Sequence, residues 1–558
     1  MKNPLHNHWS RHASVYQIYP LSFRDANGDG RGDLRGILEK IDYLNTRPAK
    51  AAARGNTFSP IPDSLGIGAV WICPFYKSPM ADFGYDVEDY TAIDPTFGTM
   101  ADFETLVAEL HARNIKVIID FVGNHSSSRH PWFTESRATR HNPRRNWYVW
   151  RDGKKDPATG ADMPPTNWVS VFGGSAWELD NTTGQYYLHS FLKEQPDLNW
   201  HNAEVRAAMA NVIDFWVSKG VDGLRIDALQ HFLEDENGGD DPINPAYNKE
   251  KDQAYQSLIH RFSTSDARKM DVIGGFLRDT LEKHRDLFII GEVYLGTDEL
   301  VQLYELCPNG RFAPFNFNLV GLPWKATDWK RVIDTYQARL KPEWLPNYTL
   351  SNHDIARVAT RLGEAQAALA AFLQFTLPGM PFIYYGDELG MTNGVIEQSA
   401  VRDVLGKIFP TLHSGRDLER TPMQWDTSPH AGFSSGKPWL PVTTDYKTKN
   451  VAHELGDRES MLALYKSLIR LRADSETLRL GTYVAKSAAS PHIFSFERHH
   501  GHERLLVLAN FSDSIVQAHL PPSPHTPRAI FSTNAHRGMH FSGKTVELMP
   551  YEGYVISV

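Results

Sequence analysis

The feature that most constrains this chain is a short apolar run that ends in an acidic residue, because it occurs four times. The runs cover residues 117–120, 223–227, 288–292 and 348–354 and end in Asp120, Asp227, Glu292 and Asp354. Each run is typical of a buried strand. Its terminal carboxylate should face a site, since burying an unpaired charge is costly. A structural ion pair between Arg225 and Asp227 would explain one run, whereas four runs indicate the rim of a single barrel.

The four runs belong to a longer alternation of predicted strands and helices. Strands are predicted at residues 15–20, 69–74, 115–122, 223–229, 286–293, 312–319, 346–354 and 380–388. Helical periodicity fills most of the intervals, as at 33–45, 101–113, 202–219 and 271–284. Eight strands that alternate with helices predict an α/β fold, a closed (β/α)8 TIM barrel.

Two stretches lie outside this alternation. Residues 126–195 are rich in Trp, Pro and Asn, have no helical periodicity and are too long for an ordinary loop. We therefore predict an inserted subdomain at 126–195, after strand 3 of a catalytic barrel made of residues 1–125 and 196–481. After a last helix at 461–472, short alternating strands at 493–497, 505–509, 515–519 and 546–558 predict a C-terminal antiparallel β-sandwich over residues 482–558.

The composition is that of a globular protein with several domains: 558 residues, 41% of them hydrophobic and 22% charged. The net charge of −8 comes from interspersed acidic and basic residues, so nothing favours a nucleic acid or an anionic membrane as partner. No apolar leader opens the chain, and no run reaches the roughly 18–20 apolar residues of a membrane span. With Cys73 and Cys307 as the only cysteines, we expect free thiols, a cytoplasmic location, and a monomer or homodimer.

A polar loop follows the first predicted strand and resembles the start of an EF-hand. The proposed ligands are the side chains of Asp25, Asn27, Asp29 and Asp33 and the carbonyl of Arg31. Oxygen ligands at alternate positions suit a hard cation, so a structural Ca²⁺ or Mg²⁺ ion is expected here. The loop is not a complete EF-hand, because the twelfth position is Gly36 and not Glu. The alternative is a polar, Asx-rich turn before a helix.

The acids at the barrel mouth fit the chemistry of glycoside cleavage. Two carboxyl groups that flank a glycosidic bond can supply a nucleophile and a proton donor. A third, ionised group can stabilise the positive charge that develops on the sugar ring. Arg225 lies two residues before Asp227, on the same side of the strand, and is expected to keep Asp227 ionised.

Four motifs in order resemble the α-amylase family of glycoside hydrolases (glycoside hydrolase family 13) over essentially the whole chain. They are Asp120-Phe-Val-Gly-Asn124-His125, Gly223-Leu-Arg225-Ile-Asp227, Gly291-Glu292-Val293 and Ser351-Asn352-His353-Asp354. Residues 195–199, the polar loop and residues 416–425 are similar to the α-glucosidase and oligo-1,6-glucosidase branch of that family.

The resemblance implies a role for each strand-end acid: Asp227 as nucleophile, Glu292 as acid/base and Asp354 as transition-state stabiliser. It also implies a glucose pocket lined by Asp82, Tyr85, His125, Phe172, Arg225 and His353. Either Arg416 or Arg420 would pair with Asp82 and close the far end of this pocket, and the sequence does not decide between them.

The resemblance further implies a retaining, exo-acting α-glucosidase that releases glucose from small α-glucosides through a covalent glucosyl-Asp intermediate, together with transglucosylation. Alternatives are a trehalose synthase-like isomerase and an oligo-1,6-glucosidase. A non-catalytic homologue like the ectodomains of amino-acid transporters would need a membrane helix and could lose the acids, so it is disfavoured. The chain departs from the family in an insertion at 46–63 and in Gln230 near the nucleophile.

Ala228, which follows the nucleophile, carries the prediction of linkage. In the family a Val at this position accompanies α-1,6 specificity, and Ala or Thr accompanies α-1,4 specificity. Because Val would fill space that a 4-linked leaving sugar needs, Ala228 predicts a preference for α-1,4 bonds. The alternative is that Ala228 merely packs against the barrel wall.

Overall fold

The computed structural model describes residues 5, 7–46, 64–264, 268–410, 415–522, 526–534, 541–542 and 544–558. The predicted insertion at 46–63 therefore lies outside the described residues, apart from Thr46. Among the described residues, no helix is both long enough and apolar enough to cross a membrane.

A parallel sheet of seven strands forms the body of the barrel. In spatial order its strands are Phe312–Pro314, Phe288–Gly291, Gly223–Ile226, Lys116–Phe121, Ala69–Ile72, Val15–Ile18 and Phe382–Tyr384. Helices of the outer layer include Leu34–Glu39, Ile41–Leu44, Met100–His111, Ala203–Ser218, Lys269–Lys283, Thr297–Leu303, Ala326–Arg339, Glu364–Thr376 and Met461–Asp474. All four residues of the fourth strand, Gly223–Ile226, are buried, as expected for a parallel sheet covered on both faces.

The predicted seventh strand closes the barrel, but it is not a regular strand. Met380 N donates to Pro346 O at 3.0 Å, and Thr349 N donates to Asn316 O at 3.1 Å, so this segment joins the two edges of the sheet. Its strand-like pairings in the described structure are two isolated bridges, Asn347 with Met380 and Asn352 with Ile355. The side chain of Asn347 takes backbone partners instead, accepting from Asn316 N at 2.9 Å and donating to the Pro314 carbonyl at 2.7 Å.

The fourth strand is shorter than predicted, and this shapes the site. It ends at Ile226 and not at residue 229. Ala228 has φ +48° and ψ +37°, a left-handed conformation that cannot continue a strand. The chain then turns sharply at the barrel mouth.

The inserted stretch contains several elements that the sequence interpretation did not assign, a helix among them. A helix runs from Pro131 to Ala138, beside the strands Trp150–Arg151, Trp177–Asp180 and Gln185–Leu188. Only Phe133 and Ser136 of this helix are buried, so its apolar periodicity is too weak to recognise. The His130 side chain accepts from Trp132 N and begins the helix.

Two antiparallel sheets form the C-terminal sandwich. The larger has the strands Thr482–Ala485, Ile493–His500, Glu503–Asn510, Arg528–Ser532 and Gly553–Ser557, and the smaller has Val516–His519, Phe541–Ser542 and Thr545–Leu548. Leu506, Leu508, Val546 and Ile556 belong to one buried cluster between them. The predicted strand at 546–558 is two strands, separated by a turn. The exact borders of the three domains remain a prediction.

Candidate active site

The strand-end acids meet at the carboxyl ends of the barrel strands, where enzymes of this architecture carry their sites. Asp120 lies near the end of Lys116–Phe121, and Asp227 directly follows Gly223–Ile226. Glu292 directly follows Phe288–Gly291, and Asp354 lies in the loop after the irregular seventh segment. The fold therefore brings together four acids that are as many as 234 residues apart in the sequence.

Arg225 is the fully buried cation at the centre of this group. Its Nη1 lies 2.6 Å from Asp227 Oδ1 and also contacts Asp120 Oδ1, while its Nη2 lies 2.8 Å from Glu292 Oε2. Asp227 and Glu292 thus lie on neighbouring corners of one guanidinium group. This is more than a structural pair between Arg225 and Asp227.

Three carboxyl groups therefore share one cation in a buried site. Burial raises the pKa of Asp227, and the charges of Glu292 and Asp120 act in the same direction. Burial also raises the pKa of Asp120, to about 6. From the sequence we expect Arg225 to keep Asp227 ionised. Arg225 does oppose both pKa shifts, but it reverses neither of them. Burial therefore disfavours the fully ionised form of this cluster.

Glu292 has a different environment at each oxygen. Its Oε2 accepts from Ala228 N at 3.0 Å and lies against Arg225. Its Oε1 accepts from the Tyr294 hydroxyl at 3.2 Å. The left-handed turn at Ala228 thus aims a backbone N–H at the predicted acid/base.

Asp354 is held by two arginines. Its Oδ1 lies 2.6 Å from Arg420 Nη2 and 3.2 Å from Arg416 Nη1. Burial raises the pKa of Asp354, but the neighbouring charges, first that of His353 and then those of Arg420 and Arg416, outweigh burial and hold the pKa below its usual range. Asp354 is therefore ionised at neutral pH. Burial lowers the pKa of His353, and the charge of Asp354 opposes that shift.

The geometry decides which arginine pairs with Asp82. Arg416 Nη2 lies 2.6 Å from Asp82 Oδ1, whereas Arg420 Nε donates to the carbonyl of His353 at 2.7 Å. Arg416 also lies over the ring of Phe172, 5.3 Å from its centroid. Arg416, and not Arg420, is therefore the arginine that pairs with Asp82 in the cavity wall.

A cavity of about 520 Å³ opens beside these groups. Of the predicted residues, its wall contains Asp82, Tyr85, His125, Phe172, Asp227, Ala228, Glu292, Asp354 and Arg416. The other predicted binding residues, Arg225, His353 and Arg420, are fully buried behind this wall. His353 reaches it through Tyr85, whose hydroxyl lies 2.7 Å from His353 Nε2. The volume is in the range of small-molecule sites.

The sequence interpretation missed several groups at this cavity. They are Val171, Phe191, His231, Gln253, Tyr255, Gln256, Tyr294, Ile355 and Leu405. Gln230, which the sequence already placed near the nucleophile, lies in the wall as well. Behind it, the buried Asp403 carboxylate accepts from Arg416 at Nε (3.1 Å), Nη2 (2.7 Å) and the backbone N (2.9 Å). Asp403 and the residues at 253–256 lie in long irregular connections, where no periodic pattern marks them.

The polar loop near the first strand has the contacts of a turn. Asp25, which is buried, accepts from Gly28 N and Gly30 N at 2.7 Å each, and Asp33 accepts from Ala26 N at 3.1 Å. Within the part of the chain that the structure describes, no group of three or more His, Cys, Asp or Glu side chains is placed to hold a metal ion. The donor set nevertheless contains only oxygen atoms, the chemistry that Ca²⁺ and Mg²⁺ prefer.

Comparisons with known proteins agree with this geometry over the whole chain. The family model of the α-amylase catalytic domain matches residues 17–481, and that of the α-amylase SusG C-terminal domain matches residues 493–555. The oligo-1,6-glucosidase of Parageobacillus thermoglucosidasius is 36% identical over 99% of both chains. A probable α-glucosidase of Rhizobium meliloti is 36% identical over 92% of this chain and 91% of that one.

Solved structures agree as well. The crystal structure of XgtA, an α-glucosyl transfer enzyme, is 35% identical, has a TM-score of 0.88 and is matched over 99% of both chains. The chain therefore belongs to the α-amylase family of glycoside hydrolases, in the branch of the oligo-1,6-glucosidases and α-glucosidases.

Proposed function

We propose that this protein is a retaining, exo-acting α-glucosidase that releases glucose from the non-reducing end of small α-glucosides, with a preference for α-1,4 bonds. The observation that carries the proposal is the placement of Asp227 and Glu292 on one guanidinium, beside a cavity whose wall contains the Arg416–Asp82 pair. Adjacent carboxyl groups suit a double displacement, whereas an inverting enzyme leaves room between them for a water molecule.

The first chemical step divides the work between the two acids. The double displacement requires the proton on Glu292 and the negative charge on Asp227. Asp227 Oδ attacks the anomeric carbon while Glu292 gives its proton to the glycosidic oxygen, so the leaving sugar departs as a neutral alcohol. The product is a glucosyl ester on Asp227.

In the second step Glu292 acts as a base. It removes a proton from water, whose oxygen attacks the anomeric carbon and releases Asp227 as a carboxylate. Two inversions return α-glucose. Asp354, ionised and held by Arg420 and Arg416, stabilises the positive charge that develops on the ring in both steps.

Two structural features support exo action and transfer. The Arg416–Asp82 pair lies in the cavity wall, and a pocket closed by this pair would admit only a chain end. The outer wall includes Ile355, Leu405 and Tyr255, which could hold an acceptor sugar in place of water. A second sugar hydroxyl that attacks the ester would give transglucosylation, the activity named for the similar enzyme XgtA.

Oligo-1,6-glucosidase activity is a second candidate, because several similar enzymes carry that name. Ala228 in the wall beside Glu292 favours α-1,4 bonds, for the reason of shape given above. A trehalose synthase-like isomerase would use the same acids but retain the released sugar for re-attack.

A time course on four disaccharides distinguishes these activities. The purified protein is incubated with maltose, isomaltose, sucrose and trehalose, and all products are resolved, with Asp227→Ala as the inactive control. We expect glucose from maltose first, then transfer products at high substrate concentration. Conversion of a disaccharide into an isomeric disaccharide without free glucose would identify an isomerase, and faster cleavage of isomaltose would identify an oligo-1,6-glucosidase.

We also propose that the loop containing Asp25, Asn27, Asp29, the Arg31 carbonyl and Asp33 holds one Ca²⁺ or Mg²⁺ ion with a structural role. The oxygen-only donors support this, as do Gly28 and Gly30, whose φ values of +85° and +90° make the tight turn possible. The free, buried thiols of Cys73 and Cys307 support a reducing, cytoplasmic location. We propose a small glucoside as the partner, with no role for nucleic acid or membrane, and a monomeric or homodimeric state.

A further inference from the structure

The two oxygens of Glu292 are not equivalent. Oε2 faces Ala228 N–H at 3.0 Å and Arg225 Nη2 at 2.8 Å. A backbone N–H and a guanidinium can only donate hydrogen bonds. An acid proton on Oε2 would point at a donor, so the proton that Glu292 transfers belongs on Oε1.

The group that faces Oε1 is the hydroxyl of Tyr294, two residues further along the chain. The two oxygen atoms are 3.2 Å apart, with the hydroxyl as donor. A hydroxyl can also accept, so it can adapt to either protonation state of Glu292. Among the described residues this is the only side chain that hydrogen-bonds to Oε1.

The tyrosine is held in this position by two further contacts. Its ring stacks on Phe317, with centroids 4.8 Å apart and an angle of 13° between the planes. Its backbone N donates to Oε1 of Gln230 at 3.0 Å. Gln230 lies in the turn after the nucleophile, so this contact links the loop of Asp227 to the loop of Glu292.

We propose that Tyr294 is a positioning residue that acts through Glu292: its hydroxyl orients the proton-bearing oxygen and stabilises the ionised carboxylate formed when the leaving sugar is protonated. The inference rests on the proposed function and deepens it. A hydrogen bond to a charged carboxylate is stronger than one to a neutral carboxyl. The hydroxyl therefore favours the ionised form, the state that must wait for water or an acceptor sugar.

Several other charged groups face Glu292, and they stay unchanged in the experiment. They are Arg225 and Asp227 on the fourth strand and its turn and Asp120 on the third strand. Asp354, after the seventh segment, faces the Tyr294 hydroxyl instead. Because all four are retained when the Tyr294 hydroxyl alone is removed, a change in the pH profile reports on that hydroxyl.

The test is the pH dependence of kcat/KM on maltose for the parent, for Tyr294→Phe and for Tyr294→Leu. Tyr294→Phe keeps the ring and its stacking on Phe317 but lacks the hydroxyl. We expect its alkaline limb to move to higher pH by roughly half to one unit, because the ionised form of the acid loses one hydrogen bond. Tyr294→Leu should shift the limb equally and should also raise KM, since it loses the ring as well.

A second substrate distinguishes a change in the acidity of Glu292 from a loss of activity on every substrate. Fluoride leaves without much protonation, so kcat/KM on α-glucosyl fluoride should differ by less than about twofold between the parent and Tyr294→Phe. A Phe variant with the pH profile of the parent would overturn the inference, and so would equal losses on maltose and on the fluoride. A parent that cleaves no α-glucoside would instead contradict the proposed function.

Discussion

Ala228→Val tests whether the residue after the nucleophile sets the linkage preference. Ala228 is buried in the cavity wall, and its N–H contacts Glu292 Oε2 at 3.0 Å. Its φ of +48° makes the substitution a double perturbation, because Val adds two methyl groups to the wall and also places a β-branched residue in a left-handed conformation.

The two effects have separate magnitudes. Clash or lost contact of one or two methyl groups with the leaving sugar amounts to about 1–3 kcal/mol, or roughly 10–200-fold in relative specificity. Ala228 already bears the roughly 1–2 kcal/mol that a left-handed conformation costs a residue with a Cβ, and the β-branched side chain of Val adds to that folding cost. That cost is paid whichever disaccharide is bound, so it cancels from the ratio of kcat/KM on maltose to kcat/KM on isomaltose.

The assay is this ratio together with the melting temperature, measured for the parent, Ala228→Val and Ala228→Gly. We expect the parent to favour maltose, and Val to lower the ratio at least tenfold and reduce the melting temperature. Gly accepts the left-handed turn without strain and should keep the preference of the parent. A parent that favours isomaltose would refute the reasoning, as would a Val variant that melts earlier but keeps the same ratio.

Three other predictions concern a charge partner of Arg416, a buried glutamate and the cation of the polar loop. Asp403→Asn should raise KM for maltose about tenfold or more with little change in kcat, because Arg416 loses the charge of Asp403 and keeps its other two partners, Asp82 and Asp354. The control is Gln398→Ala, which loosens the same loop at Gly406 O. An unchanged KM in Asp403→Asn would contradict the role of Asp403. Burial raises the pKa of Glu454 to about 8, so the folded state loses stability as pH rises from about 4.5 to 8. The melting temperature of Glu454→Gln should therefore exceed that of the parent by a difference that grows from pH 5 to pH 8. A difference that does not change with pH would contradict this. Excess chelator should lower the melting temperature before it affects activity; an unchanged melting curve, with no metal in the purified protein, would rule out the cation in the polar loop.

The barrel and the positions of its acids could be predicted because both follow local patterns. An apolar run marks each strand, and the carboxyl ends of all barrel strands meet at one mouth. Asp120, Asp227 and Glu292 therefore share an environment although the sequence separates them. The family models confirm the predicted family, and the sheets agree with the predicted fold.

The choice between Arg416 and Arg420 could not be predicted, because it depends on contacts between loops. The two arginines are four residues apart, beside one short turn of 3-10 helix, Arg416–Leu418. Arg416 faces Asp82 because Asp403, in an irregular connection, holds its side chain from behind. No periodic pattern in the sequence indicates that connection.

The predicted secondary structure was wrong where side chains take the hydrogen bonds that backbone groups would otherwise make. Asn347 takes the hydrogen bonds of a strand through its amide, so the apolar run that contains it forms no ladder. His130 caps a helix that buries only two of its residues, which hides the periodicity of that helix. Tyr294 was missed for another reason. Its contact with Glu292 depends on how the chain turns after the strand Phe288–Gly291, and the sequence pattern does not show that turn.

The most direct test of the double displacement at Asp227 and Glu292 is the anomer that is released first. Maltose is hydrolysed by the purified protein inside an NMR spectrometer, and the α and β anomeric protons of glucose are followed before mutarotation mixes them. Two inversions at one carbon predict that α-glucose appears first and that its signal exceeds the equilibrium share. β-Glucose as the first product would contradict the account, because water would then attack the substrate directly and Asp227 would form no ester.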